Sequence, residues 1–167
     1  MRFTKGASPE GGVWDKAADA ARVQAALKAA RLPQGAVRVH DLPGPTGESN
    51  RLSLFARAPV LCLGPSAAVA ARQVAAVQAA GGVAVAVDGL LAPEVLSTLD
   101  GFSQALWWGD EAAARGYAMA LAARRGPILP LVTEAPDAGR VLLERHVCID
   151  TTASGGNAQL LAEVAAG

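Results

Sequence analysis

Neither sign of charge is in excess in these 167 residues: fifteen Lys and Arg stand against fifteen Asp and Glu. A nucleic-acid-binding domain usually carries a clustered basic surplus, so no nucleic-acid partner is expected. Cysteine is scarce as well, with only Cys62 and Cys148, each inside an apolar strand-like run. A disulfide framework is therefore not the organising device, and both residues read as buried thiols in a reducing compartment. No window approaches the roughly 20 consecutive apolar residues that span a bilayer. The first dozen residues, MRFTKGASPEGG, lack the apolar centre of a secretion signal. A soluble cytoplasmic chain with no membrane span is the expectation, long enough to bury roughly two thirds of its unfolded surface.

What is present is organised around residues 42–65, LPGPTGESNRLSLFARAPVLCLGP. Two glycine–proline turns lead into an alternation in which Leu52 and Leu54 are separated by Ser53. After Ala58 and Pro59 comes an unbroken apolar tetrad, Val60, Leu61, Cys62 and Leu63, halted by Gly64 and Pro65. Alternation suits a half-exposed strand, and a continuous apolar run suits one covered on both faces. The segment thus predicts a flap-like arm followed by the first strand of a buried parallel sheet.

Around it, residues 1–13 are rich in Gly, Ser and Pro and read as a flexible lead-in. Residues 14–32 are alanine-rich and predict a helix that starts at Trp14 and ends at Pro33 and Gly35. Residues 36–40 alternate as a short edge strand. Ser66 is placed to cap a helix to about Ala80, closed by Gly81 and Gly82. Residues 83–87 form a second strand, 93–99 a short helix opened by Pro93, and 105–108 a third strand. Asp110 caps a helix over 111–125, and 128–132 is a fourth strand whose Pro130 belongs at an edge. This order predicts an α/β domain over residues 14–167: a degenerate Rossmann-like parallel sheet with helices on both faces. An antiparallel β-flap, about 51–56 and 140–151, completes it.

A Rossmann-like order raises the question of a dinucleotide. The fingerprint requires a second glycine for approach to a pyrophosphate and a third for helix packing, and Gly64, Pro65, Ser66 supplies only the first. Proline also removes one phosphate-facing N–H. Binding of a nucleotide at that turn, in a small stand-alone enzyme or binding protein, is the alternative reading. Other candidates have plainer explanations. His40 and His146 flank strands without metal-ligand spacing. Asp88, Glu94, Asp100 and Asp110 sit at strand ends or helix starts, where capping accounts for them. Trp107 and Trp108 lie on opposite faces of one strand, one filling core and the other free for a partner. No catalytic residue and no metal ligand is assigned. The polar run Thr151, Thr152, Ala153, Ser154, Gly155, Gly156, Asn157 is either a flexible end or a lid segment.

Four islands bear on these possibilities. LPGPTGESNRLSL with VLCLGP, then LWWGDEAAARGYAMALAARRGPILPLV, then VLLERHVCIDTT, then ASGGNAQLL resemble, in order over residues 39–161, the C-terminal domain of the proline utilization A family. The specific parts are the opening GPTGE-N and closing TTA-GGNA segments. Trp107, Trp108 and a shortened connection over 90–99 depart from the family pattern. Members are bifunctional bacterial flavoproteins that oxidise proline to glutamate, using FAD and NAD. The resemblance implies a non-catalytic domain, similar to the aldehyde dehydrogenase superfamily and holding no cofactor, that packs on the aldehyde dehydrogenase module of its parent. It implies a flap built from Arg51, Leu52, Ser53 and Leu54 with Glu144, Arg145 and His146, mimicking an oligomerisation arm. That flap could also form a homodimer once its partner is missing. It implies a lid motif over 151–161, with residues 151–157 roofing the passage through which glutamate semialdehyde moves between two active sites.

Overall fold

A computed structural model of the chain describes residues 12–150. The described residues divide into two compact units: one comprises residues 12–34 together with Ala56–Leu143, the other Gly35–Phe55 together with residues 144–150.

The first unit is an α/β sandwich. Its strands β3 (Val60–Cys62), β4 (Ala84–Ala86), β5 (Gln104–Leu106) and β6 (Leu131–Val132) form a parallel sheet in the order β4-β3-β5-β6. The apolar tetrad after Pro59 sits at its centre, Leu61 and Cys62 wholly buried. Side chains alternate across a strand. Accordingly Leu61 and Leu63, with Ala105, enter one core with Val23 and Leu27 of α1 (Ala20–Ala29) and Tyr117 and Leu121 of α3 (Glu111–Ala122). Val60 and Cys62, one residue out of step, lie opposite and are covered with the buried Val69, Ala70, Gln73 and Val77 of α2 (Ala67–Ala79). Each such Leu or Val contributes about 1.5–3 kcal/mol of burial. Pro130 stands where its missing N–H is harmless, just before edge strand β6, and its carbonyl accepts from Ala105 N at 3.1 Å.

Local signals explain most boundaries. The Ser66 hydroxyl accepts from Val69 N and the Asp110 carboxylate from Ala113 N, so both expected caps are in place. The short helix after Pro93 is a 3-10 turn over Pro93–Ser97. Several boundaries differ. β5 stops at Leu106, so Trp107 and Trp108 follow the strand and are not on it. β6 keeps only Leu131–Val132 of the expected 128–132, and α3 ends at Ala122. α1 begins only at Ala20, because the Asp19 carboxylate accepts from Ala21 N and Arg22 N and so caps the helix six residues later than Trp14. Arg140 and Val141, expected to open the long flap strand, belong instead to one turn of helix, α4 (Ala138–Val141), because Asp137 caps Arg140 N.

The second unit is a three-stranded antiparallel sheet, ordered β1-β2-β7, from β1 (Ala36–Leu42), β2 (Glu48–Ala56) and β7 (Leu142–Asp150). The turn between β1 and β2 uses Gly47 at φ 88°, a left-handed conformation that glycine adopts freely. β1 and β2 pair from Leu42↔Asn50 to Ala36↔Phe55, with a bulge between Ala36 and Arg38. β7 runs opposite to β2: Cys148 contacts Glu48 while Arg145 lies over Phe55. The strand expected at an edge over 36–40 is an edge strand, β1, and its sheet is the flap.

Candidate functional site

Two places could carry function: the β3–α2 turn at the carboxyl edge of the parallel sheet, and the flap. At the turn, Gly64 holds φ +36°, and a Cβ there would come within 2.5 Å of Ala70 N. The glycine serves close packing of α2 on the sheet. Its N–H, which a phosphate would require, donates to the Oε1 of the buried Gln73 at 2.9 Å. Pro65 offers no N–H, and the Ser66 carbonyl is taken by Ala70 N at 2.9 Å. The carbonyls of Leu63 and Gly64 both accept from the Trp14 indole, at 3.2 and 2.6 Å. A pyrophosphate needs converging donors. This turn presents carbonyls already bonded to an indole, and the residues do not fit a dinucleotide phosphate.

Beside it lies an open cavity of about 470 Å³, lined by Trp14, Lys16, Ala67, Ala70, Val87 and Asp88. Asp88 follows β4, where a Rossmann sheet places the carboxylate that holds a ribose. Here it is bound instead by Arg22 at 3.1 Å and Lys16 at 3.7 Å. Partial burial pushes its carboxyl up, but the two cations outweigh that and leave it below its ordinary value. Asp88 is therefore an ion-pair partner that also accepts from the Asp19 backbone N–H at the start of α1. Asp100 is no cap: its carboxylate meets Arg124 at 3.2 Å.

The cysteines part company. Cys62 is fully buried on β3, and burial pushes its thiol up to about 12. Cys148 is exposed on β7, against the expectation of two buried thiols. Its apolar neighbours Val147 and Ile149 are themselves 53% and 57% exposed, so an apolar run did not mean a covered strand. The Cys148 thiol donates to Glu48 Oε1 at 3.0 Å; that bond holds the thiol above and the carboxyl below their usual ranges. Trp107 fills the core against Tyr117, ring centroids 5.1 Å apart, while the Trp108 indole donates to the Glu134 carbonyl at 3.1 Å. Among the described residues no group of three His, Cys, Asp or Glu is placed to hold a metal ion, and no helix is long and apolar enough to cross a membrane.

In the flap, Arg51, Leu52, Ser53 and Leu54 lie on β2 and Glu144, Arg145 and His146 on β7, so the two segments meet as neighbouring strands of one sheet. Arg51 forms a 2.8 Å ion pair with Asp41, its partner across β1, and the Arg145 guanidinium lies 4.4 Å from the centre of the Phe55 ring. Strand periodicity puts Val39, Phe55, Val147 and Ile149 on one face and Leu52, Leu54, His146 and Cys148 on the other. Residues 37–42 of β1 and 143–150 of β7 are exposed throughout. Thr151, Thr152, Ala153, Ser154, Gly155, Gly156 and Asn157 lie outside the described residues. The sequence reading misses Trp14 and Gln73 at the turn. Asp19, a capping residue ahead of the alanine run, was the available sign that Trp14 stands outside the helix.

No protein-family model matches the chain. Bifunctional protein PutA of Escherichia coli K12 is 32% identical over 143 residues, covering 72% of this chain and 11% of that protein. The protein of the same name from Salmonella typhimurium LT2 gives the same identity and coverage. The chain is homologous to a part of PutA. It spans 11% of the length of these relatives. Among solved structures, proline utilization A (PutA) with proline bound in remote sites superposes at a TM-score of 0.46, 24% identical over 68% of this chain and 15% of that one. A mutant of Bradyrhizobium japonicum PutA superposes at 0.45, again 24% identical, over 67% and 14%. Superpositions this loose carry no weight beside the sequence match to PutA.

Proposed function

We propose that this chain is the C-terminal, non-catalytic domain of a PutA-like proline-catabolic protein of the cytoplasm. In this reading it packs through its flap on the parent's aldehyde dehydrogenase module, and residues 151–157 help to close the passage for the semialdehyde intermediate. Proline oxidation with FAD and aldehyde oxidation with NAD belong to other parts of the parent.

The observation that carries this reading is the bare flap. A three-stranded sheet needs one apolar face covered to be stable. Here Val39, Phe55, Val147 and Ile149 share a face on which Val39, Val147 and Ile149 are each more than half exposed. Such a surface is what an interaction arm presents before its partner is added. The turn after β3, with its amide and carbonyls already engaged, supports a role other than dinucleotide binding.

The test is a deletion of residues 151–167 in the complete parent protein, followed by NADH formation from proline. A lag before steady NADH production is expected, because the intermediate would escape to solvent and have to be recaptured. A time course without a lag, equal to that of the intact protein, would remove the lid role.

A further inference from the structure

We propose that residues 14–18, Trp-Asp-Lys-Ala-Ala, are a strap bound across both recognition points of the crevice where a Rossmann sheet takes its dinucleotide, forming one wall of the open cavity beside it. This inference concerns the first unit alone and stands whether or not the PutA-like role above is right.

The crevice has two recognition points, the turn after the first strand and the carboxylate after the second. The strap engages both. At the turn, Trp14 N donates to the Pro65 carbonyl at 2.9 Å, and the Trp14 indole N–H serves Gly64 O and Leu63 O. A carbonyl-rich turn requires a donor; an indole and an amide supply it, whereas a phosphate would be repelled. At the second point the Lys16 ammonium meets Asp88, closing the carboxylate with charge in place of a ribose hydroxyl.

Between these anchors the strap behaves as a short added strand. Leu90 N donates to Lys16 O and Ala18 N to Leu90 O, both at 2.9 Å, so that Ala17 and Leu90 form a parallel bridge. Gly89 records how closely the strap lies. A Cβ at that position would sit 2.6 Å from the Ala17 carbonyl carbon, a clash with backbone that no rotamer change relieves. Asp19 then starts α1, fixing the strap's far end to a helix whose Val23 and Leu27 are in the core. Hydrogen bonds, an ion pair and a glycine fitted to the strap's backbone converge on one segment, which a loosely passing loop would not show.

The experiment is site-resolved amide hydrogen exchange on the full chain, comparing wild type with Trp14→Ala and with Gly89→Ala, alongside calorimetric titration of wild type with NAD. The Gly89 variant pushes the strap off without touching Trp14, and Trp14→Phe keeps the ring should Trp14→Ala fail to fold. Exchange at Ala18 and Leu90 should quicken about tenfold or more in each strap variant, the loss of roughly one hydrogen bond's worth of protection. Exchange at Leu63, held by Leu106 O within the sheet, should stay as in wild type. NAD should give no heat of binding. Unchanged exchange at Ala18 and Leu90 in the Gly89 and Trp14 variants would overturn the proposal. So would NAD binding to wild type with those two amides still protected.

Discussion

Replacing Gly64 with alanine asks whether the turn after β3 is shaped by helix packing. Two costs arise. The residue sits at φ +36°, where a side chain costs about 1–2 kcal/mol. The new Cβ would also lie 2.5 Å from Ala70 N and 2.8 Å from Ala70 Cα. Backbone cannot rotate away, so the first turn of α2 must shift from the sheet and strain the buried bond from Gly64 N to Gln73 Oε1. Leaving those buried groups unpaired costs about 1–3 kcal/mol more. The total, about 2–5 kcal/mol, is a large part of a typical domain stability of about 5–15 kcal/mol. Gly126 supplies the control. It has φ +100° but nothing within 4 Å of its would-be Cβ, so Gly126→Ala should show only backbone strain. Urea unfolding of both variants, followed by far-ultraviolet circular dichroism and compared at equal slope, separates the two contributions. If Gly64→Ala falls within about 0.5 kcal/mol of Gly126→Ala, close approach of α2 does not shape this turn.

Thiol labelling should modify Cys148 in the folded protein, slowed at neutral pH by its bond to Glu48, and Cys62 only on unfolding, since one is exposed on β7 and the other wholly buried on β3; two thiols labelling at one rate would refute that placement. Burial raises the folded-state value of Cys62 to about 12, so its neutral form is favoured by the fold. Its contribution to stability is complete below the unfolded thiol value of about 8.5 and is lost as pH rises from there toward about 12; urea midpoints of wild type and Cys62→Ala across that range should converge if the reasoning holds. Asp41 is held below its ordinary carboxyl range by the hydrogen bond and charge of Arg51, so this pairing persists at neutral pH and is lost only in acid, below that ordinary range; a carbon-detected titration showing an ordinary Asp41 midpoint would refute the pair. Tyr117→Phe removes the 2.8 Å bond to the Leu91 carbonyl and should cost about 1 kcal/mol or somewhat more, with a negligible change in the urea midpoint as the refuting outcome.

Local chemistry made much of this protein legible from its residues. The apolar tetrad at 60–63 announced a doubly covered strand. Ser66 and Asp110 announced helix starts, Pro130 an edge, and the alternating order of elements a parallel sheet. Each is a short-range cause, a cap or a period, that acts within a few residues of the signal. The GPTGE-N and TTA-GGNA segments pointed to the proline utilization A family before any fold was known, and the match to PutA agrees.

Tertiary structure decided what such signals do not encode. Alanine propensity alone could have carried α1 back to Trp14; bonds from Trp14 to carbonyls about fifty residues away keep it out of the helix. The apolar spelling around Cys148 suggested burial, but burial depends on what covers a strand, and β7 is exposed from residue 143 to 150. The flap acquired β1 through cross-strand pairing with β2, which alternation within residues 36–40 could not specify. The turn at Gly64 showed only missing glycines and a proline without an N–H; the folded chain places Gln73 on its amide and Trp14 on its carbonyls. Residue types and their local periods determined the elements, whereas contacts between residues far apart in the chain determined which surfaces and polar groups those elements left free.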